Sequence, residues 1–211
     1  FGLEQGFVKG DILLNMDSED EGELYVGCAG GIDANISWSF KECPVPEGDV
    51  AIKIAISGLK GGHSGLDIAL GRANANKLLF RFLKEAIMQY EARLAAVEGG
   101  NMRNAIPREA WAILEYAKQE VVKFNEEYKA TENTIKVDAQ LVSLPDGLIP
   151  EEIQDDFVNA VTGCPNGVFR FIPDIPSVVE TSTNLSIIKA NATQIEVKCL
   201  LRSSVDSKKE E

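Results

Sequence analysis

The chain has 211 residues, 45% of them hydrophobic, and carries a formal net charge of −12. That length suits one large or two small domains with a sizeable core, and no apolar run approaches the roughly 18 residues of a membrane span. The acidic balance argues against nucleic acid or an anionic membrane as partner, because both select clustered Lys and Arg.

In chain order, Gly10 to Asp17 reads as a short buried strand through Ile12, Leu13 and Leu14. It runs into an acidic loop with five carboxylates among the seven residues from Asp17 to Glu23. An EF-hand fails here: Gly22 fits the sixth position counted from Asp17, but Cys28 occupies the twelfth, where a Glu is needed. What remains is either a solvated acidic turn or an Asp at the C-terminal end of a strand, where α/β folds present metal ligands. Leu24 to Gly31 and Ile32 to Phe40 read as further strand. A polar connection with Pro44 and Pro46 spans Lys41 to Asp49. Val50 to Ser57 alternates, with Val50, Ile52, Ile54 and Ile56 on one face.

The next stretch, GLKGGHSGLDIALGRANANKLL from Gly58 to Leu79, holds the chain's single histidine, His63, beside the pair Gly61-Gly62. An imidazole in a glycine-rich connection between a strand and a helix is either a solvated loop residue or a binding or catalytic group held by two rigid elements. Apolar residues at 3.6-residue spacing from Ala75 to Tyr90 predict an amphipathic helix over Ala73 to Tyr90, with Lys77, Arg81, Lys84 and Glu85 on its other side. Arg93 to Val97 reads as a strand, GGNMRNAIP as a turn, and Glu109 to Tyr116 as a strand with Ala110, Ala112, Leu114 and Tyr116 on one face. Gln119 to Ala130 reads as a helix, and Thr134 to Leu144 as a strand with Ile135, Val137, Ala139 and Leu141 inward. Strand, helix, strand, strand, helix, strand is the order of the ferredoxin-like split βαβ plan, an α+β fold with an antiparallel sheet and both helices on one face.

Pro150 to Val161 reads as a helix with Pro and acids in its first turn and Ile153, Phe157 and Val161 on its apolar side. The segment TGCPNGVFRFIPDIPSVVETS reads as loop-rich. Leu185 to Lys189 and Gln194 to Leu201 form a predicted hairpin, with Ile195, Val197, Cys199 and Leu201 inward. Arg202 then shares the opposite side with Glu196 and Lys198, toward solvent or a cleft. Cys28, Cys43, Cys164 and Cys199 are widely spaced with no C-x-x-C pair, the pattern of reduced thiols in a cytoplasmic protein. No nucleophile elbow, P-loop or dinucleotide fingerprint occurs, and one histidine cannot complete a hydrolytic zinc site. The opening FGLEQGF and the closing LLRSSVDSKKEE both read as cuts within a longer protein.

The blocks NMDSEDEGELYVGCAGG, GLKGGHSGLDIALGRANANKLL, NAIPREA, TGCPNGV and ETSTNLSIIKANATQIEVKCLLRSSVDS together resemble the Xaa-His dipeptidase (aminoacyl-histidine dipeptidase) family, cytosolic carnosinase-type peptidases with co-catalytic zinc. The resemblance runs from about Gly10 to Ser207. It implies that residues 1–30 end the first segment of an α/β zinc-peptidase catalytic domain and that residues 31–211 form a lid domain that dimerises. By the same resemblance Asp17 matches a zinc ligand, with Glu19, Asp20 and Glu21 solvated or nearby. His63 matches the lid histidine that reaches a partner subunit's active site to stabilise the oxyanion, and Asn104 matches an asparagine that contacts substrate. Arg202 matches the arginine that holds the substrate's C-terminal carboxylate, with Asn184 assisting. Ala69 departs from the pattern, standing where many relatives carry a second His. The implied cofactor is a pair of zinc ions whose other ligands lie outside this chain, the implied substrate an Xaa-His dipeptide and the implied partner a second copy. A non-catalytic dimerisation module, or the lid of a related tripeptidase or deacylase, is the alternative expectation, and the chain alone is expected to be inactive.

Overall fold

The computed structural model describes residues 27–114, 135–191 and 193–210, together with 4, 6, 7, 9–12, 14, 21, 22, 25 and 132. Ten strands and three helices form in these residues: β1 (Gly30–Ser39), β2 (Ala51–Ser57), β3 (Gly62–His63), α1 (Ala75–Tyr90), β4 (Ala96–Gly99), β5 (Ala105–Ile106), β6 (Ala110–Leu114), β7 (Lys136–Val142), α2 (Glu151–Gly163), β8 (Gly167–Ile172), β9 (Ile175–Ala190), β10 (Gln194–Ser203) and α3 (Asp206–Glu210). The main sheet runs β1-β10-β9-β4-β6-β2-β7, with β8 also on β9, and β3 and β5 form a separate two-stranded ladder. Every pairing is antiparallel.

Within that sheet the path β4-β6-β2-β7 is the split βαβ arrangement: β6 lies between β2 and β4, the two strands joined by α1. The protein is therefore α+β with a ferredoxin-like core, widened by β1, β8, β9 and β10. The helix expected over Gln119–Ala130 lies outside the described residues, as does Asp17; the buried strand expected before it does not form at Gly10, Asp11, Ile12 or Leu14, where Ile12 and Leu14 are exposed to solvent. The strand expected over Leu24–Gly31 does not form at Tyr25 or residues 27–29; regular pairing starts only at Gly30.

Alternation places Ile54 and Ile56 of β2, and Ala110, Ala112 and Leu114 of β6, on the face that α1 covers. Asn74 caps α1, its side-chain oxygen accepting from the Asn76 and Lys77 amides. Leu78, Leu79, Phe82, Leu83 and Ala86 fill the stripe expected of them, but Phe80, outside that stripe, is also buried. Its ring meets Phe157 of α2 edge-on at 5.0 Å, and Trp38 of β1 closes on Phe157 at 6.3 Å. The fully buried Phe80 and Phe157 rings each contribute roughly 1.5–3 kcal/mol through burial. Lys77, expected on the outer side of α1, instead donates to the carbonyls of Val161 (3.0 Å), Thr162 (2.7 Å) and Cys164 (2.8 Å). It thereby satisfies the orphan acceptors at the C-terminal end of α2.

Two further expectations fail. Ala139 and Leu141 of β7 are exposed, Leu141 to 77%, and of the four residues expected inward only Ile135, just before the strand, is fully buried. The region expected to be loop-rich holds β8 and the first half of the 16-residue β9. A bulge on β9 explains a further departure from simple alternation. Leu185 and Ile188, three residues apart, would point to opposite faces of a regular strand. The register shift opposite Lys198/Cys199 inserts one extra residue, so both side chains enter the core.

Candidate functional site

The other face of β9 and β10 carries the residues of interest. Asn184 alternates away from Leu185, and its amide donates to the carbonyls of Arg103 (3.2 Å) and Ala105 (2.8 Å). Arg103 in turn pairs with Asp33 at 2.9 Å and Asn35 at 2.7 Å, both on β1. These bonds lay the 100–107 loop over the sheet, and its β5 then pairs with β3, so that His63 stands opposite Ala105. Burial of Asn184, 1% exposed, follows from this cover.

The His63 turn is closed on itself. The His63 amide donates to Asp67 Oδ2 at 2.8 Å while the Asp67 amide donates back to the His63 carbonyl at 2.9 Å. Asp67 also pairs with Arg72 at 3.3 Å, and Arg72 donates to the Gly61 carbonyl at 2.5 Å. Gly62 sits at φ +141, and a Cβ there would collide with the Arg72 guanidinium and the Asp67 carboxylate, so only glycine fits. The imidazole is oriented from below: Nδ1 accepts from the amides of Gly65 (3.2 Å) and Leu66 (3.1 Å). An Nδ1 that accepts two hydrogen bonds carries no proton, so in the neutral ring the proton sits on Nε2, which is left as a donor.

Arg202 approaches the same spot. A Cβ placed on Gly65 would lie 3.2 Å from His63 Cε1 and 3.4 Å from Arg202 Nε, so the two side chains flank one glycine. Arg202 Nε is buried and has no hydrogen-bond partner among the described residues. An orphaned charged donor beside an oriented imidazole suits an anionic group such as a carboxylate. Asn104 is exposed, and its carbonyl accepts from the Ser64 amide at 2.8 Å, which puts it one residue from the β3–β5 ladder. Of the residues singled out in the sequence, His63, Asn104, Asn184 and Arg202 therefore gather on one face, although Asn184 spends its amide on the loop. Asp17 lies outside the described residues, and among those described no three His, Cys, Asp or Glu side chains gather as a metal site. Ala69 is exposed in the 3₁₀ turn Ile68–Leu70. A neighbouring cleft of about 520 Å³ is lined by Lys60, Met102, Arg108 and Trp111 among others, and does not include His63 or Arg202.

One supporting residue escapes sequence reasoning. Glu132 is buried at 4% exposure and accepts from the amides of Lys60 (2.8 Å) and Ala73 (3.1 Å), the two ends of the His63 segment. It stands alone in a polar stretch with no periodic signal, so nothing local marks it. Asn166 likewise ties the loop after α2 to both α1 and β9, accepting from Asn74 and from the Leu185 amide at 2.9 Å each.

Comparison with known proteins matches residues 54–141 to the peptidase dimerisation domain of the M20 class. The chain is 38% identical to the cytosol non-specific dipeptidase of Escherichia coli (strain K12), over all of this chain and 46% of that protein. It superposes on the crystal structure of the aminoacylhistidine dipeptidase from Vibrio alginolyticus with a TM-score of 0.86 and 40% identity, covering 99% of this chain and 45% of that one. The chain thus spans about half the length of the relatives it matches.

Proposed function

For a chain that carries the M20 peptidase dimerisation domain, we propose that the whole protein is a cytoplasmic metallo-dipeptidase and that residues 31–211 are its lid and dimerisation domain. Residues 1–30 then close a segment of the catalytic domain, with Asp17 as a metal ligand. Zinc, bound mainly by residues outside the described ones, would supply a water activated for hydrolysis. The homodimer joins two lids and carries each His63 to the partner's catalytic centre. The observation that carries this reading is the pairing of the His63 Nε2 donor with the unpartnered Arg202 Nε across Gly65.

On this reading Arg202 holds the C-terminal carboxylate of the dipeptide by charge-assisted hydrogen bonds. His63 Nε2–H donates to the scissile carbonyl and strengthens that bond as negative charge develops on its oxygen. Asn104 contacts the same region, while Asn184 holds the loop that presents it. The relatives' names differ in breadth, one non-specific and one aminoacyl-histidine, so we propose Xaa-His dipeptides as the preferred substrates. The test is hydrolysis of carnosine and of a panel of dipeptides by the intact protein with zinc. His63→Ala should lower kcat at least a hundredfold, the magnitude of a lost oxyanion donor, with bound metal unchanged. Wild-type turnover in that variant would end the assigned role.

A further inference from the structure

We propose that Cys164 and Cys199 form a redox-responsive dithiol site, in which a hydroperoxide converts the two thiols into an intrachain disulfide joining the end of α2 to β10. The two sulfurs lie 3.7 Å apart although their residues are 35 positions apart in sequence. A disulfide needs about 2.05 Å, so one sulfur must move by less than two ångströms. That movement is available because Cys164 is the residue at which the chain leaves α2, with extended rather than helical backbone. Cys164 is half-buried and open to a small oxidant, whereas Cys199 is 4% exposed inside the core. The arrangement therefore offers one accessible sulfur backed by one enclosed one.

Lys77 completes the site, its ammonium fixed beside the thiols by the Val161, Thr162 and Cys164 carbonyls. The hydrogen bond from Cys199, reinforced by the Lys77 charge and opposed by burial, brings the Cys164 thiol down to about 7. Cys199 shifts the other way, because its hydrogen bond to Cys164 and its burial both favour the protonated thiol. Cys164 is thus the attacking thiolate and Cys199 the resolving thiol. In the first step the Cys164 thiolate attacks the peroxide oxygen, the O–O bond breaks, an alcohol or water leaves, and a sulfenic acid forms. In the second, the Cys199 sulfur attacks the sulfenic sulfur and displaces water. In sum two thiols and one hydroperoxide give a disulfide, an alcohol and water. The other cysteines lack this geometry. Cys28 is exposed and its thiol donates to the Ala29 carbonyl, and Cys43 lies against Arg93 and the Leu148 carbonyl.

The disulfide would form on the helix side of the two strands whose other face carries Asn184 and Arg202. Cys199 is paired with Leu185, whose amide Asn166 holds just beyond Cys164. The inference stands on the thiol geometry and does not depend on the catalytic reading. It is tested by treating the intact protein with a small molar excess of hydrogen peroxide and mapping peptides without reduction. The expected first product is the linked Cys164–Cys199 peptide on a chain of unchanged size, abolished by dithiothreitol. In Cys199→Ala, dimedone should instead trap a sulfenic acid on Cys164. Sulfinic acid on Cys164 with Cys199 still reduced, or Cys28 cross-links as the leading product, would overturn the proposal. Should Cys199→Ala fail to fold, the wild-type peptide map decides by itself.

Discussion

A single methyl group at Gly65 tests whether His63 and Arg202 act on one substrate. Gly65 does not occupy the left-handed region, so alanine is admissible for its backbone. The added Cβ would lie 3.2 Å from His63 Cε1, 3.3 Å from its Nδ1 and 3.4 Å from Arg202 Nε. Ordinary contacts of this kind settle at about 3.5–4.0 Å, so the imidazole must yield by a few tenths of an ångström, toward or past a guanidinium already at the edge of contact. The shift also loosens the 3.2 Å bond from the Gly65 amide that keeps the ring proton on Nε2. A misplacement of 1 Å at a reacting group costs about a hundredfold, which scales to about tenfold in kcat/KM here, near 1.4 kcal/mol. Stability should barely change, because the reduced entropy of the unfolded chain, about 0.4–1 kcal/mol, offsets the crowding. The assay is kcat/KM of the intact Gly65→Ala protein on an Xaa-His dipeptide, beside its thermal midpoint. Wild-type kcat/KM would refute the shared site. A large fall in the midpoint would show that residue 65 is structural instead.

Glu132→Ala should remove the acceptor from both ends of the His63 segment and cost about 3 kcal/mol, since the Ala73 amide is left buried and unpaired. At this chain length that corresponds to a fall of roughly 6–12 °C in Tm by differential scanning calorimetry, and an unchanged Tm would show the carboxylate to be idle. Phe80→Ala should destabilise by about 3–5 kcal/mol in urea titration, because it empties the contact with Phe157 at the centre of the α1–α2 interface. Cys199→Ala should move the pH midpoint of Cys164 alkylation by iodoacetamide upward from about 7. The sign follows from the cause: the lost hydrogen bond favoured the thiolate, so without it the thiol holds its proton to higher pH. A midpoint that stays put would contradict that origin.

The elements legible in the sequence are those whose own side chains decide their surroundings. The 3.6-residue stripe of α1 and the alternation of β2 and β6 name their buried faces because each apolar side chain must leave water wherever the chain goes. The glycines around His63 mark a turn that side chains cannot enter, and Arg202 falls on the outer face by parity alone. What stayed illegible depends on partners far along the chain. Lys77 looks like a solvated helix residue until the end of α2 presents three carbonyls to it. Asn184 carries no local mark of burial until the 100–107 segment covers it. The β9 bulge, the clamp of Glu132 on residues 60 and 73, and the 3.7 Å approach of Cys164 to Cys199 have no local signature. Sequence periodicity thus determined which residues seek the core and where the chain turns, because burial of apolar surface is a property of each side chain. Only the tertiary structure decided which polar groups meet, because a hydrogen bond or a thiol pair is a property of two positions brought together by the rest of the chain.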